Sequence, residues 1–231
     1  MARFGVRCSA VCAAAIWVLC ALETGPSEAR AGEAWVSAGA GGGGEAFHSY
    51  GGITWAPFGS LEAEGLRVRL WGKALKLDQR GEIGGTGVEA EFGWQFAGPA
   101  WRLAAFAGAA WRDEPGTAKQ FGANVAAELR YELTDRWRLM AEGKYTVRLD
   151  EAWMQVRPEF KLTEALYVGL SAAGNKGPNY KLIQSAVSLG GLSASMPWIG
   201  DAYVSVEAGI QYNVTTKNMT PFGALHLGFA Y

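Results

Sequence analysis

The sequence predicts an all-β protein, an antiparallel up-and-down transmembrane β-barrel of about twelve strands. Three observations support this prediction. Long segments alternate apolar and polar side chains, the last segment alternates up to a C-terminal aromatic residue, and glycine and aromatic residues are abundant, with 32 Gly, 10 Trp, 8 Tyr and 10 Phe in 231 residues. Together they indicate sheet with one apolar and one polar face.

Composition narrows the class of protein further. The charged fraction is 19%, below the roughly 25% of ordinary soluble domains. The formal net charge is −1, so there is no basic surface of the kind that neutralises phosphates, and nucleic acid is excluded as a partner. The length of 231 residues fits one large all-β domain or two ordinary domains, so size alone does not decide between them.

The N-terminal segment has the features of a secretory signal. Arg3 and Arg7 precede an apolar run over 8–22 that is too short to span a bilayer comfortably, and the small-x-small pattern of 29–31 follows it. We expect residues 1–31 to be a signal peptide and residues 32–231 to be the barrel. An uncleaved membrane anchor is the alternative, and either segment would export the chain.

All three cysteines lie in this leader: Cys8, Cys12 and Cys20. The mature chain would therefore have no disulfide and no cysteine-based zinc site, so hydrogen bonding and packing must hold it together. Cys20 follows Leu19 instead of a small residue, which argues against a lipoprotein signal.

The alternation is clear from the third predicted strand onward. Leu66, Val68 and Leu70 share one parity, while Arg67 and Arg69 share the other. Several such runs reach about ten residues, the length that a tilted strand needs to cross a bilayer. Turn signals divide the mature chain into predicted strands at 34–43, 48–56, 66–77, 88–96, 101–111, 121–131, 137–147, 152–162, 166–173, 181–189, 202–213 and 219–231.

Aromatic residues tend to lie at the two ends of a strand's apolar face. Trp101 and Trp111 do so on one strand, and Trp137 and Tyr145 do so on another. Rings at both headgroup levels are typical of membrane barrels, because their bodies are apolar and their polar tips stay hydrated. The same rings could fill the core of a soluble barrel or sandwich, which alternation alone does not distinguish from lipid contact.

An even strand count returns both termini to the periplasmic side. We then expect tight inner turns at 98–99, 133–136 and 162–165 and longer outer loops at 78–87, 112–120 and 174–179. A long inner connection at 191–200 departs from this pattern.

The C-terminal strand alternates Leu225, Leu227, Phe229 and Tyr231 on one face. Such a strand closes the barrel and resembles the signal that the outer-membrane assembly machinery reads. It predicts the outer membrane of a Gram-negative bacterium as the location, with outer-membrane lipid and that machinery as partners. A terminal strand of a soluble sandwich is the alternative.

The polar parity carries charges of both signs, which we predict to line the lumen. They could pair across the interior and plug it, or they could line a narrow polar conduit, with Trp71 and Trp153, for a sugar chain or small solute. Mixed signs do not suit an ion-selective ring. The candidate lumen-lining residues are Arg67, Arg69, Trp71, Glu89, Glu91, Arg102, Glu128, Arg130, Arg138, Glu142, Lys144, Arg157, Glu159, Glu207 and His226.

The two histidines give no sign of catalysis. His226 has no serine two residues away on its own strand, and Ser49 points to the opposite face from His48. We therefore predict no catalytic residue, no cofactor and no metal site.

The stretch 50–72, YGGITWAPFGSLEAEGLRVRLWG, resembles the cellulose biosynthesis protein BcsS family of alphaproteobacteria. The shared pattern is a strand ending at Trp55-Ala56-Pro57, an inner turn, and a strand opening with 65–70. The resemblance implies a non-enzymatic barrel accessory to cellulose, an exopolysaccharide, in its biosynthesis or export, with cellulose or components of the cellulose-synthase complex as partners. A general small-solute channel and a structural surface barrel are the alternatives.

Overall fold

The computed structural model describes residues 32–44, 46–78, 82–114, 118–196 and 200–230. The predicted signal peptide, its cleavage site, its three cysteines and the terminal Tyr231 lie outside these residues. No helix among the described residues is long and apolar enough to cross a membrane.

Twelve antiparallel strands close into one barrel, which confirms the predicted fold class. Each strand pairs with its neighbours in the chain, and β1 pairs with β12. The strands are β1 Ala34–Gly43, β2 Ala46–Trp55, β3 Gly65–Asp78, β4 Glu82–Ala97, β5 Trp101–Asp113, β6 Gln120–Glu132, β7 Trp137–Thr146, β8 Glu151–Lys161, β9 Tyr167–Gly177, β10 Tyr180–Met196, β11 Gly200–Asn213 and β12 Asn218–Ala230.

The seam between the first and last strands closes the sheet. Trp35 lies opposite Ala230 at one end of the seam, and Gly43 lies opposite Phe222 at the other. Closure leaves no sheet edge, so the backbone polar groups of the strands are paired within the sheet, as a bilayer interior requires.

Alternation sorts the side chains onto two faces. On β5, Trp101 and Leu103 are exposed on the outer face, whereas Ala104, Phe106 and Ala110 are buried toward the lumen. The outer face is apolar, as contact with lipid requires, and the inner face carries the charged residues. Exposed aromatic rings lie near both ends of the wall, for example Trp137 and Tyr145 on β7.

The outer loops are shorter than predicted. The prediction of a loop at 78–87 was wrong, because β4 begins at Glu82 and only 79–81 lie between β3 and β4. Gly84, Gly85 and Gly87 pair in register with β3. Glycine has no side chain to alternate, so this extension of the strand gives no period-two signal.

The remaining loop predictions need similar corrections. The prediction of a long inner connection at 191–200 was wrong, because β10 runs to Met196 and β11 begins at Gly200. A register shift between Leu189 and Leu192, with Gly191 at a φ of +86°, interrupts the alternation there. The loop at 174–179 shrinks to 178–179, and that at 112–120 to 114–119.

Candidate functional site

Charged side chains fill the lumen along β3 to β8, which we call the charged wall. At its centre, Arg69 on β3 donates from Nε to Glu91 on β4 at 2.7 Å and also pairs with Glu128 on β6. The Arg69 guanidinium lies 3.5 Å from the centroid of the Phe106 ring. Asn124 donates to the second Glu91 oxygen at 2.7 Å. Arg69 is 4% exposed and Glu91 3%, so both charges are buried and paired.

A second cluster crosses the lumen. Lys73 on β3 donates to Glu151 on β8 at 2.8 Å and pairs with Glu89 at 2.8 Å. Lys144 also pairs with Glu89, and Arg112 pairs with Glu151. The bond between Lys73 and Glu151 joins strands on opposite sides of the barrel, so it spans the interior.

A third cluster continues toward β11. Arg157 pairs with Glu207 at 3.1 Å and with Glu159 at 2.8 Å. Arg138 also pairs with Glu159 and stacks 3.6 Å from the centroid of the Tyr167 ring. These contacts match each cation to an acid, which offsets the high cost of burying its charge.

The other predicted lining residues take different positions. Arg130 pairs with Glu132 at 2.7 Å near the mouth beside the two termini, which we predict to be the periplasmic mouth, and Arg102 pairs with Glu62 of the β2–β3 turn. Glu142 lies opposite Glu128 in the strand register. None of the hydrogen bonds or ion pairs among the described residues includes the Glu142 carboxylate.

An apolar cluster blocks the end of the lumen opposite the two termini, which the sequence analysis predicts to be the extracellular end. It consists of Ala46 on β2, Leu75 on β3, and Tyr180 and Leu182 on β10. Leu182 is only 2% exposed. Because β2 and β3 lie across the lumen from β10, their contact obstructs this end of the interior.

The β7–β8 turn adds a side chain to the same end. Leu149 is 2% exposed, although it lies in a turn. Its neighbours Arg148 and Asp150 have φ values of 70° and 46°, a left-handed conformation that is uncommon for residues other than glycine. The buried Leu149 therefore lies between two residues with a left-handed backbone.

The β2–β3 turn at 56–64 folds over the periplasmic mouth. Arg67 donates to the carbonyl oxygen of Ser60 at 3.0 Å and to that of Ala63. Gln95 on β4 donates to the carbonyl oxygens of Leu61 and Ala63, both at 2.8 Å. Two lumen-facing side chains therefore hold this turn by its backbone.

Glu33, just before β1, secures the same turn from the other side. Its carboxylate accepts hydrogen bonds from the Ser60 hydroxyl at 2.6 Å and from the backbone N–H of Leu61 at 2.8 Å. The backbone N–H of Ala56 also donates to the Glu33 carbonyl at 2.8 Å. The turn of the motif that resembles the family is thus held over the part of the periplasmic mouth between β1 and β5.

The remaining side of the lumen, along β11, β12, β1, β2 and the middle of β3, carries aromatic rings. We call the group Trp35, Tyr50, Trp71, Tyr203 and His226 the aromatic wall. The Trp35 and Tyr203 ring centroids are 5.1 Å apart, and those of Tyr50 and Trp71 are 5.8 Å apart. The Tyr50 hydroxyl lies 2.6 Å from His226 Nδ1.

Glycines provide the space for these rings. A Cβ added at Gly39 would lie 2.6 Å from the Tyr50 ring, and one added at Gly52 would lie 2.5 Å from the Trp71 ring. Trp35 presses against Gly228 in the same way. The three rings therefore lie against the backbone of the neighbouring strand.

His226 has one neighbour that sequence reasoning missed. Ser205 on β11 lies directly opposite it in the β11–β12 register, which cannot be read from either strand alone. His226 Nδ1 is bonded to Tyr50, however, and Nε2 has no hydrogen-bond partner and lies 3.9 Å from Glu207. The serine–histidine hydrogen bond of an activated nucleophile is not formed here.

Sequence reasoning also left several residues out of the candidate set. Lys73, Gln95 and Asn124 lie on the polar parity of predicted strands, so alternation could have included them. Arg112 was assigned to a loop and Glu151 lay just outside a predicted strand. Among the described residues, no group of three or more metal-ligating side chains could hold a metal ion.

Comparison with solved structures identifies similar barrels. A KdgM porin aligns with a TM-score of 0.50 at 11% identity, over 85% of this chain and 99% of that chain. A KdgM porin in complex with disordered oligogalacturonate gives a TM-score of 0.51 at 12% identity, with the same coverage. The beta domain of the Bordetella autotransporter BrkA gives 0.52 at 13% identity, over 87% and 99%.

These identities are low, so the likeness shows the fold alone: a closed barrel of the outer-membrane kind. No curated protein matched the sequence. One family model did match, that of cellulose biosynthesis protein BcsS, over residues 38–226. The match runs from within β1 to within β12, so it covers nearly the whole barrel.

Proposed function

The chain belongs to the cellulose biosynthesis protein BcsS family, and on that premise we propose that it is a non-enzymatic outer-membrane protein accessory to cellulose biosynthesis or export. The family match is the observation that carries this proposal. It spans the barrel itself, so the accessory role belongs to the barrel as a whole.

The geometry favours a closed barrel over an open channel. The apolar cluster around Leu182 obstructs the extracellular end, the bond between Lys73 and Glu151 crosses the lumen beside this cluster, and the β2–β3 turn covers part of the periplasmic mouth. A general small-solute channel would require these groups to move apart. We therefore infer that the barrel acts as a membrane-anchored scaffold.

The same geometry supports the proposed partners. Exposed apolar residues such as Phe92, Trp94 and Leu170 cover the outer face, which suits outer-membrane lipid. Strand β12 completes the seam, and we propose that the barrel-assembly machinery recognises this segment. Components of the cellulose-synthase complex would meet the barrel at its periplasmic end.

Deletion of the gene tests the role in cellulose production. We expect cellulose, measured as cellulase-released glucose, to fall in the deletion strain and to recover when the wild-type gene is supplied on a plasmid. Recovery excludes an effect on neighbouring genes. Unchanged polymer in the deletion strain would overturn the proposed function.

Conductance separates the closed scaffold from the small-solute channel. Reconstituted in a planar bilayer, the wild-type barrel should carry no steady current, because the apolar cluster and the bond between Lys73 and Glu151 obstruct its lumen. An established porin inserted under the same conditions controls for reconstitution. A persistent open current through the wild-type barrel would favour the channel.

A further inference from the structure

We propose that the aromatic wall is a binding site for a short stretch of a neutral β-linked glucan that enters the lumen from the periplasm. This inference rests on the proposed function and adds a ligand class and a place of binding. The site consists of Trp35, Tyr50, Trp71, Tyr203 and His226, together with polar groups beside them.

The rings of the wall suit a pyranose ring. Tyr50 and Trp71 lie against Gly39 and Gly52, so one side of each ring system contacts the backbone and the rest is turned toward the lumen. A β-linked glucose unit presents its axial C–H groups on its two faces. Such a face packs on an aromatic ring, which offers a broad apolar surface at low cost in conformational entropy.

Unpartnered polar atoms lie next to these rings. His226 Nε2 has no hydrogen-bond partner, and neither does the Ser37 hydroxyl, although both are shielded from solvent. Ser37 on β1 lies opposite Gly52 and Gly228, the glycines that contact Trp71 and Trp35. Buried polar atoms are normally paired, and sugar hydroxyls both donate and accept. A saccharide that shifts the adjacent rings on binding would reach these two atoms and satisfy them.

The charges nearby favour a neutral saccharide over an acidic one. Arg157, the cation beside His226 in this part of the lumen, is already paired with Glu207 and Glu159. Lys73, the next cation along β3 from Trp71, is paired with Glu89 and Glu151. A sugar carboxylate would have to displace one of these acids.

The two ends of the lumen indicate the direction of entry. Leu182 and its neighbours obstruct the extracellular end, whereas Tyr203, at the periplasmic end of the wall, is 36% exposed. A chain end or a short stretch could therefore reach the aromatic wall from the periplasm without passing through the barrel.

Calorimetric titration of the purified full-length barrel in detergent tests the site. The probes are cellohexaose, its α-linked counterpart maltohexaose, and an oligogalacturonate. We expect cellohexaose to bind and the other two to bind at least about tenfold more weakly. Equal affinity for all three probes, or no binding of cellohexaose, would overturn the proposal.

Variants locate the binding. Trp71→Ala should weaken cellohexaose binding by about tenfold or more, whereas the lipid-facing control Trp94→Ala should leave it unchanged. Tyr203→Ala, at the more exposed rim, should also weaken binding and is less disruptive to packing if Trp71→Ala fails to fold. Unchanged binding in Tyr203→Ala, or in a folded Trp71→Ala barrel, would refute the proposed site.

The two proposals fail separately. If cellohexaose does not bind but deletion of the gene lowers cellulose, the accessory function stands and the binding site is wrong. If cellohexaose binds at the aromatic wall but deletion leaves cellulose unchanged, the binding site stands and the accessory function is wrong.

Discussion

The two sides of the lumen solve the same packing problem in opposite ways. The charged wall of β3 to β8 fills its space with long side chains that reach other strands, as Lys73 reaches Glu151. The aromatic wall lays rings against glycines, as Tyr50 lies against Gly39. The first arrangement fixes the interior in place, and the second leaves ring surfaces on the lumen with unpartnered polar atoms beside them.

This difference separates stability from recognition. A buried ion pair is costly to break from one side, because the remaining charge stays buried without a partner. A ring resting on a glycine can be altered with less damage, because it is held by packing and by a single hydrogen bond. We therefore expect substitutions on the charged wall to affect unfolding and those on the aromatic wall to affect binding.

The largest effect should come from Glu91→Ala on the charged wall. The substitution removes the acid that Arg69 and Asn124 share, so the free energy of unfolding should fall by about 3–5 kcal/mol. Urea titration of the barrel in lipid vesicles, followed by tryptophan fluorescence, measures this change. A loss below about 1 kcal/mol would show that the Arg69–Glu91 pair stabilises the barrel no more than a surface ion pair does.

The matched control for Glu91→Ala is Glu164→Ala. Glu164 accepts a hydrogen bond from Lys161 at 2.6 Å, but its side chain is exposed. Solvent screens such a pair, so its removal should leave the urea midpoint unchanged. A loss comparable to that of Glu91→Ala would show that burial is not what makes the charged wall stabilising.

A smaller effect is expected from Gly39→Ala on the aromatic wall. The added Cβ would overlap the Tyr50 ring, which must move away from His226, at a cost of about 1–3 kcal/mol in unfolding free energy. Cellohexaose binding should weaken in the same variant. The control is Gly51→Ala on the outer face of β2, where the added Cβ lies 3.7 Å from its nearest neighbour.

Gly51→Ala should change neither the unfolding free energy nor the binding. If Gly39→Ala also left both quantities unchanged, the close contact between ring and glycine would be unimportant, and the contrast between the two walls would reduce to their charges.

Much of the fold could be predicted from the sequence, because alternation over long strands is a direct consequence of a wall between lipid and a polar interior. The strand ends were the weak point. The glycines at 84, 85 and 87 carry no side chain to alternate, and the register shift after Leu189 reverses the pattern within β10. Both features concealed real strand from period-two reasoning.

The site was harder to predict because its contacts join distant strands. Parity indicates which side chains of a strand share a face, but it does not give partners such as Lys73 and Glu151, which lie 78 residues apart. The glycines beneath Tyr50 and Trp71 were invisible for the same reason, since the register between strands decides which glycine meets which ring. The register between two strands cannot be read directly from a single sequence.

The Glu33 contacts with the β2–β3 turn also bear on how the barrel is assembled. Glu33 and the turn are close in sequence, so the entropic cost of closing this loop is small and the contacts can form early. Strand β1 would then enter the bilayer already braced by β2 and β3. The final step of assembly would add β12 to a stiffened edge instead of joining two loose strands, which reduces the risk of a slipped register at the seam.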